Sequence, residues 1–244
     1  MTASQTELKG ALDRLTKLHP KLIDLGLERT LALSAKCGNP HRHLPPVIHI
    51  AGTNGKGSVS AFLASLYNAA GLRAHVYNSP HLCRFNERIR LAGNLISDPE
   101  LIAILKEVDT VNNGAPITFF ESTTIAAFLA FSRHPADILI LETGLGGKFD
   151  STNIIKDTAI SVLTPIAHDH EHFLGTDITK IASQKAGIMR PGKPTIWARQ
   201  SLKARQGLVT EAEKLGSEIF EDGVDFSAHL NDNGRFDFIW QGEK

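Results

Sequence analysis

Residues Val47-Ile48-His49-Ile50-Ala51-Gly52-Thr53-Asn54-Gly55-Lys56-Gly57-Ser58 constrain this chain more than any other stretch. An apolar run enters a glycine-rich turn that ends in a lysine and a hydroxyl. Gly52, Gly55 and Gly57 let backbone N–H groups approach phosphate oxygens without a Cβ in the way, Lys56 supplies a point charge, and Ser58 offers a magnesium ligand. The pattern departs from G-x-x-x-x-G-K-[ST], because Ile50 stands at the first glycine position and Gly57 separates lysine from serine. Its context supplies what the bare pattern lacks. Val59, Phe62, Leu63, Leu66, Tyr67 and Ala70 follow at helical spacing, and Gly71 stands at a capping position. Strand, loop and helix thus come in the order of a triphosphate cradle; the plainer alternative is a βα turn with no ligand.

The rest of the chain alternates around this unit. Residues 1–38 read as a helical lead-in, with Leu8, Leu12, Leu15 and Leu18 on one face, a second apolar stretch from Leu22 to Leu33, and Cys37-Gly38-Asn39-Pro40 as a stop. Strands are expected at 47–51, 74–78, 137–142, 159–164 and 195–198, and helices at 58–70, 98–111, 121–132 and 177–188, with a long loop after the second strand. That alternation predicts an α/β fold, a mostly parallel sheet with helices on both faces. Ile138–Leu141 and Ile160–Leu163 read as central strands buried on both faces. After Ser201 the signal weakens to a helix around 208–215 and short aromatic strands near 236–240. The expected division of 1–244 is therefore a lead-in to 38, a nucleotide-binding core over 45–200, and a peripheral segment over 201–244.

With 244 residues, 42% of them hydrophobic, the chain can bury one sizeable core. Its 26 basic and 26 acidic residues balance, which argues against holding nucleic acid or an anionic membrane by net field. Cys37 and Cys83 lie in no metal or redox spacing, and Met1–Lys9 has no apolar signal core. No apolar run approaches a bilayer span. The expectation is a cytoplasmic monomer that binds small molecules.

The polar residues cluster at strand ends: Gly52 to Ser58 after the first strand, Ser79 after the second, Glu142 at the end of the buried one, and His168-Asp169-His170 after the next. Open α/β sheets bind ligands at the C-terminal ends of their strands. A carboxylate closing an apolar strand beside a phosphate loop suits a metal-holding acid, since magnesium prefers oxygen ligands. The alternative for Glu142 is a helix cap or strand-end ion pair. His168 to His172 could be mistaken for a zinc cluster, but no further soft ligands recur at a zinc-like spacing. His168, His172, His41 and His43 read as solvated loop residues.

The phosphate loop, Ser79-Pro80-His81-Leu82 with Glu87-Arg88-Ile89, Thr118-Phe119-Phe120-Glu121, Glu142-Thr143-Gly144-Leu145-Gly146-Gly147-Lys148-Phe149-Asp150-Ser151-Thr152-Asn153, Asp169-His170 with Leu174-Gly175, and Lys185-Ala186-Gly187-Ile188 resemble, in order and spacing, the folylpolyglutamate synthase/dihydrofolate synthase family of the Mur ligase superfamily. The resemblance covers residues 10–200. It implies a folate-biosynthesis ligase that uses ATP and Mg2+ to join L-glutamate to dihydropteroate or folates through an acyl phosphate. By the same resemblance Gly52, Thr53, Asn54, Gly55, Lys56, Gly57 and Ser58 bind nucleotide. Ser58 and Glu142 hold one metal, and Ser79, Glu142 and His170 a second. Lys185 matches a lysine that the family carbamylates, so Lys56, Glu142, His170 and Lys185 are the expected catalytic set. Arg84, Arg88, Thr118, Phe120 and Asp150 are expected to meet substrate; for Phe120, plain core packing is the alternative.

Four positions depart from the family pattern: Lys148-Phe149 in place of an arginine-leucine pair, Thr143 in place of valine, and Gln184 in place of glutamate before Lys185. The family's later nucleotide-contacting segment and its Rossmann-like C-terminal domain are not found in the sequence, so a truncated ATP-binding portion is expected. Two other readings fit part of the pattern: a nucleotide-binding fragment without turnover, and a Mur-type ligase of cell-wall precursors.

Overall fold

The computed structural model describes residues 3–21, 23–232 and 234–241. Two helices lead in, α1 (Ala3–Thr16) and α2 (Glu28–Lys36). The apolar stretch read from Leu22 is helical only from Glu28 on, and Leu22 itself lies outside the described residues. Strand β1 (Val47–Ala51), helix α3 (Lys56–Ala69) and strand β2 (Ala74–Tyr77) follow as expected, α3 starting two residues early. The long loop after β2 contains a 3-10 turn at Phe85–Arg88 and an antiparallel ribbon, β3 (Ile89–Leu91) and β4 (Asn94–Leu95). Ala92 and Gly93 join the ribbon at φ 48° and 91°, the left-handed pair that lets a two-residue turn follow strand twist.

Helices α4 (Asp98–Asn112) and α5 (Phe119–Arg133) come next, then β5 (Ile138–Glu142), β6 (Ile160–Leu163), the short α6 (Glu171–Leu174), α7 (Ile178–Ala186) and β7 (Pro194–Trp197). The chain continues through α8 (Leu202–Leu215), β8 (Glu218–Glu221) and a hairpin of β9 (Phe226–Leu230) with β10 (Phe236–Trp240). Eight strands form one sheet in the order β4-β3-β2-β5-β1-β6-β7-β8. The six from β2 to β8 pair in parallel; β3 runs against them, and β4, antiparallel to β3, turns back to their direction.

Side-chain alternation along β1 assigns the layers. Val47 and Ala51 point to the face where α1, α4 and α5 cover one half of the sheet and α7 and α8 the other. Ile48 and Ile50 point the opposite way, onto Val59, Leu63 and Tyr67 of α3. The fold is thus a mostly parallel sheet with helices on both faces, unequally shared. β5 is buried along its whole length, but Ile160 and Val162 of β6 are only half-buried. They lie beside the area that α3 crosses, so β6 is not the doubly buried strand its apolarity predicted. Ser201 accepts from the Ala204 amide to start α8, and Ala204, Leu208 and Ala212 sit buried against α7, so the weak sequence signal there does not mark a weakly packed region.

Candidate functional site

β1 delivers the glycine loop to the C-terminal edge of the sheet. Gly52 has φ +151°, and a Cβ there would overlap Thr164 Oγ1, so only glycine fits. The loop is fastened to the segment after β6: the amides of Thr53 and Asn54 donate to Pro165 O at 3.0 and 3.4 Å, and Thr53 Oγ1 donates to Ala167 O at 3.0 Å. Gly55, in the left-handed region at φ 86°, turns the chain into α3, whose first amides have no intrahelical carbonyl to bind. A helix start of this kind attracts anions.

Two ammonium groups meet at this loop. Lys56 Nζ donates to Gly52 O (3.2 Å) and Thr53 O (3.4 Å), and Lys185 Nζ donates to Gly52 O at 2.9 Å. Lys185 is 2% exposed, and its pKa is pulled down to about 8, first by burial and then by the charge of Lys56. Glu142, the last residue of β5, sits 3.9 Å from Lys56 Nζ and accepts from the Ser79 amide at 3.2 Å. Burial raises its pKa, while Lys56 and the Ser79 bond pull the other way. A buried carboxylate with a single cation at the edge of contact fits a hard divalent ion, which would complete its charge balance.

Beside this cluster lies a cavity of about 320 Å³ whose wall includes Ser79, Thr118, Phe120, Asp150 and His170. The aromatic ring of Phe120 fills the space over Gly144, where a Cβ would strike it. Thr118 caps α5, taking the Glu121 amide at 3.2 Å while the Glu121 carboxylate takes the Thr118 amide at 2.7 Å. Asp150 is buried, accepts from the amides of Leu145 (2.8 Å) and Thr152 (3.0 Å) and from Thr152 Oγ1, and has its pKa raised by burial. His170, at φ 49°, stands at the start of α6 with Nε2 3.5 Å from Asp169 Oδ2.

Other expected residues lie apart. Arg84 binds Asp98 Oδ1 at 2.8 Å, away from the cavity, and so ties the loop to the start of α4. Arg88 donates to His81 Nδ1 at 2.9 Å and lies over Phe85; its charge reaches Glu142 but it does not line the cavity. Ser58 is exposed on α3. Among the described residues no three His, Cys, Asp or Glu side chains gather as a metal-holding group, and His168 pairs with Glu171 at 3.1 Å. His41 is half-buried against Ser34 Oγ at 2.7 Å, unlike the solvated residue its loop position predicted.

Sequence reasoning missed several contributors. Ile23, Asp24 and Leu25, from the lead-in, form part of the cavity wall. Arg29 holds that wall in place through Glu121 at 3.0 Å and Asp24 at 2.8 Å. His49 bonds Thr152 Oγ1 at 2.8 Å beneath Asp150, and burial pulls its pKa down to about 3. Arg190, a buried cation, donates to Asn153 Oδ1 and to the carbonyls of Ile155, Gly187 and Met189, fastening the Asp150 segment to the turn after α7. A strand histidine and a helix-end arginine are the only local hints of these.

With this geometry in hand, comparison with known proteins is informative. The chain is 37% identical over 222 residues to the dihydrofolate synthase/folylpolyglutamate synthase of Escherichia coli K12, covering 91% of this chain and 52% of that one. It superposes on E. coli FolC in complex with DHPP and ADP with a TM-score of 0.89 at 35% identity, over 98% of this chain and 57% of the other. The chain is a homologue of the dihydrofolate synthase/folylpolyglutamate synthases. A bifunctional synthase of that family solved with Mn, AMPPNP and L-glutamate bound matches with a TM-score of 0.86 at 32% identity, over 100% of this chain and 57% of that one. No protein-family model matches. The chain spans about half the length of the curated relatives it matches. Among its described residues no helix is long and apolar enough to cross a membrane.

Proposed function

We propose that this chain supplies the ATP site for joining L-glutamate to the carboxylate of dihydropteroate or a folate. The observation that carries the reading is the meeting of Lys56, Lys185, Glu142 and Ser79 at the strand ends, next to a cavity with an aromatic wall. In this reaction a substrate carboxylate oxygen attacks the γ-phosphorus of ATP and ADP leaves. The glutamate amine then attacks the acyl carbon, phosphate leaves, and the amine gives up a proton. The protein's share is positioning and charge neutralisation.

In this reading Gly52 to Gly57 offer amides to the phosphates and Lys56 pairs with the β- and γ-oxygens. Magnesium, when bound, would neutralise phosphate charge, held by Ser58, Ser79, Glu142 and His170. Phe120 and Thr118 would frame the flat ring, with Asp150 at the cavity floor; Arg88 would act at longer range, and Arg84 is better assigned to holding the loop. Lys185, with its pKa near 8, has the neutral fraction needed to take up CO2 as a carbamate, losing a proton. The two free cysteines fit a reducing cytoplasm, and we take the chain as a monomer there.

Calorimetric titration with MgATP tests the site. Lys56→Ala and Glu142→Gln are each expected to weaken binding about ten- to a hundredfold, the value of a hydrogen bond to a charged group, with melting temperature held. Unchanged affinity in both would remove the nucleotide assignment. ADP release in the presence of dihydropteroate and glutamate, absent with glutamate alone, would separate ligation from binding without turnover.

A further inference from the structure

At the opposite end of the sheet, where β1 and β6 begin, lies a cavity of about 800 Å³, within the range of small-molecule sites. β1 itself separates it from the glycine loop, a distance of roughly 16 Å at the usual rise per residue. Its accessible apolar wall comes from Leu31 of α2 and from Leu44, Pro45 and Pro46 ahead of β1, backed from within by the buried Val47, Ile154 and Ile155. Its rim is cationic. Arg42, on the 3-10 turn at Pro40–Arg42, and Lys156, next to Ile155, have no carboxylate partner among the described residues. Lys193 stands on the same rim in an ion pair with the exposed Asp157 at 3.0 Å, the one carboxylate in the lining.

His41 completes the rim, its ring fixed by the Nδ1 contact with Ser34 Oγ. Burial lowers its pKa, and Arg42, His43 and Lys156 lower it further, an independent sign that cations converge there. Arg29, Arg84, Arg133 and Arg205 are each paired with a carboxylate, of Glu121, Asp98, Glu107 and Glu221. Unmatched cations around an apolar wall form a complement to a ligand that carries both parts.

We propose that this cavity binds a small organic anion with an apolar body, its acidic group held by Arg42 and Lys156 and its hydrocarbon part laid on Leu31, Leu44 and Pro46. The site is separate from the ATP cluster and does not depend on the function proposed above. Charge attraction from two exposed cations is modest by itself, so the apolar contact must add to the anion's hold, which disfavours simple inorganic anions as tight ligands.

The test uses two fluorescent probes on the whole chain: 8-anilinonaphthalene-1-sulfonate, and N-phenyl-1-naphthylamine, which has the same rings without the charge. The sulfonate is expected to bind one per chain and to shift the backbone amide resonances of Val47, Ile155 and Ala159. In Arg42→Glu/Lys156→Glu its affinity should fall at least tenfold, while that of the uncharged amine stays within about twofold and MgATP binding is unchanged. Both side chains are exposed, so the fold should persist. Sulfonate affinity within twofold of the parent would overturn the proposal. So would resonance shifts confined to the exposed apolar residues of α3 or of the β9–β10 hairpin, a result read on the parent chain and independent of the variant's folding.

Discussion

α5 and α3 have 15 and 14 residues and similar apolar content, yet α5 is buried without a break from Glu121 to Phe131 while α3 buries only Ser60. The difference lies in what surrounds them. α5 sits between the sheet and the layer formed by α1, α2 and α4, so its polar side chains are enclosed as well; Thr124, for instance, meets Tyr77 Oη at 3.1 Å. α3 lies alone on the other face, with Phe62 and Leu66 in solvent. The glycine loop at its start is therefore held less by helix packing than by its bonds to Pro165 and Ala167. One helix stabilises the fold, and the other presents its first turn.

The contrast can be broken most directly at Phe128, which is fully buried on α5. Phe128→Ala should cost about 3–5 kcal/mol by urea denaturation, the usual price of a large core truncation. A loss under 1 kcal/mol would mean that α5 is not the hub described here.

A smaller, pH-dependent effect is expected at Lys185. Its pKa in the folded chain, about 8, lies below the 10.5 of a free lysine, so the unfolded chain binds more protons between those values. Stability contributed by this group therefore rises as pH increases from about 8 to about 10.5, by up to about 3 kcal/mol, and is at its least below pH 8. Lys185→Met should flatten that part of the stability–pH curve relative to the parent; parallel curves would show that the buried amine carries no such cost. At the other end of the scale, Phe62→Ser on α3 should change stability by less than about 0.5 kcal/mol, because the side chain is 71% exposed. A larger loss would show that α3 is packed more firmly than its exposure indicates.

What the sequence made legible follows the same division. β1, apolar except for His49, is ended by Gly52 and β5 is apolar up to Glu142, so both strands could be read directly. The β3–β4 ribbon could not, since its turn is Ala92-Gly93 rather than a strong turn pair, and β8 hides because its four residues begin and end in glutamate. Within the candidate site, the residues named by motif and gathered around the cavity come from a strand end, Ser79, and from helix starts and the loop after β5, Thr118, Phe120, Asp150 and His170. Arg84 was drawn elsewhere by Asp98, a partner fourteen positions away that only the folded loop brings near. The wall formed by Ile23 to Leu25 was equally hidden, because it depends on Arg29 reaching Glu121 across 92 positions of sequence.

The two ends of the eight-stranded sheet bear on how copies of the chain behave in a crowded solution. β4 has two residues, a ladder too short to template another strand. β8 is longer, but it is already engaged: the Glu221 carboxylate pairs with Arg205 at 2.9 Å, its amide donates to Asp225 Oδ2 at 2.8 Å, and Phe220 lies against the ring of Trp240. Neither margin thus offers a long free ladder from which a fibre could be templated.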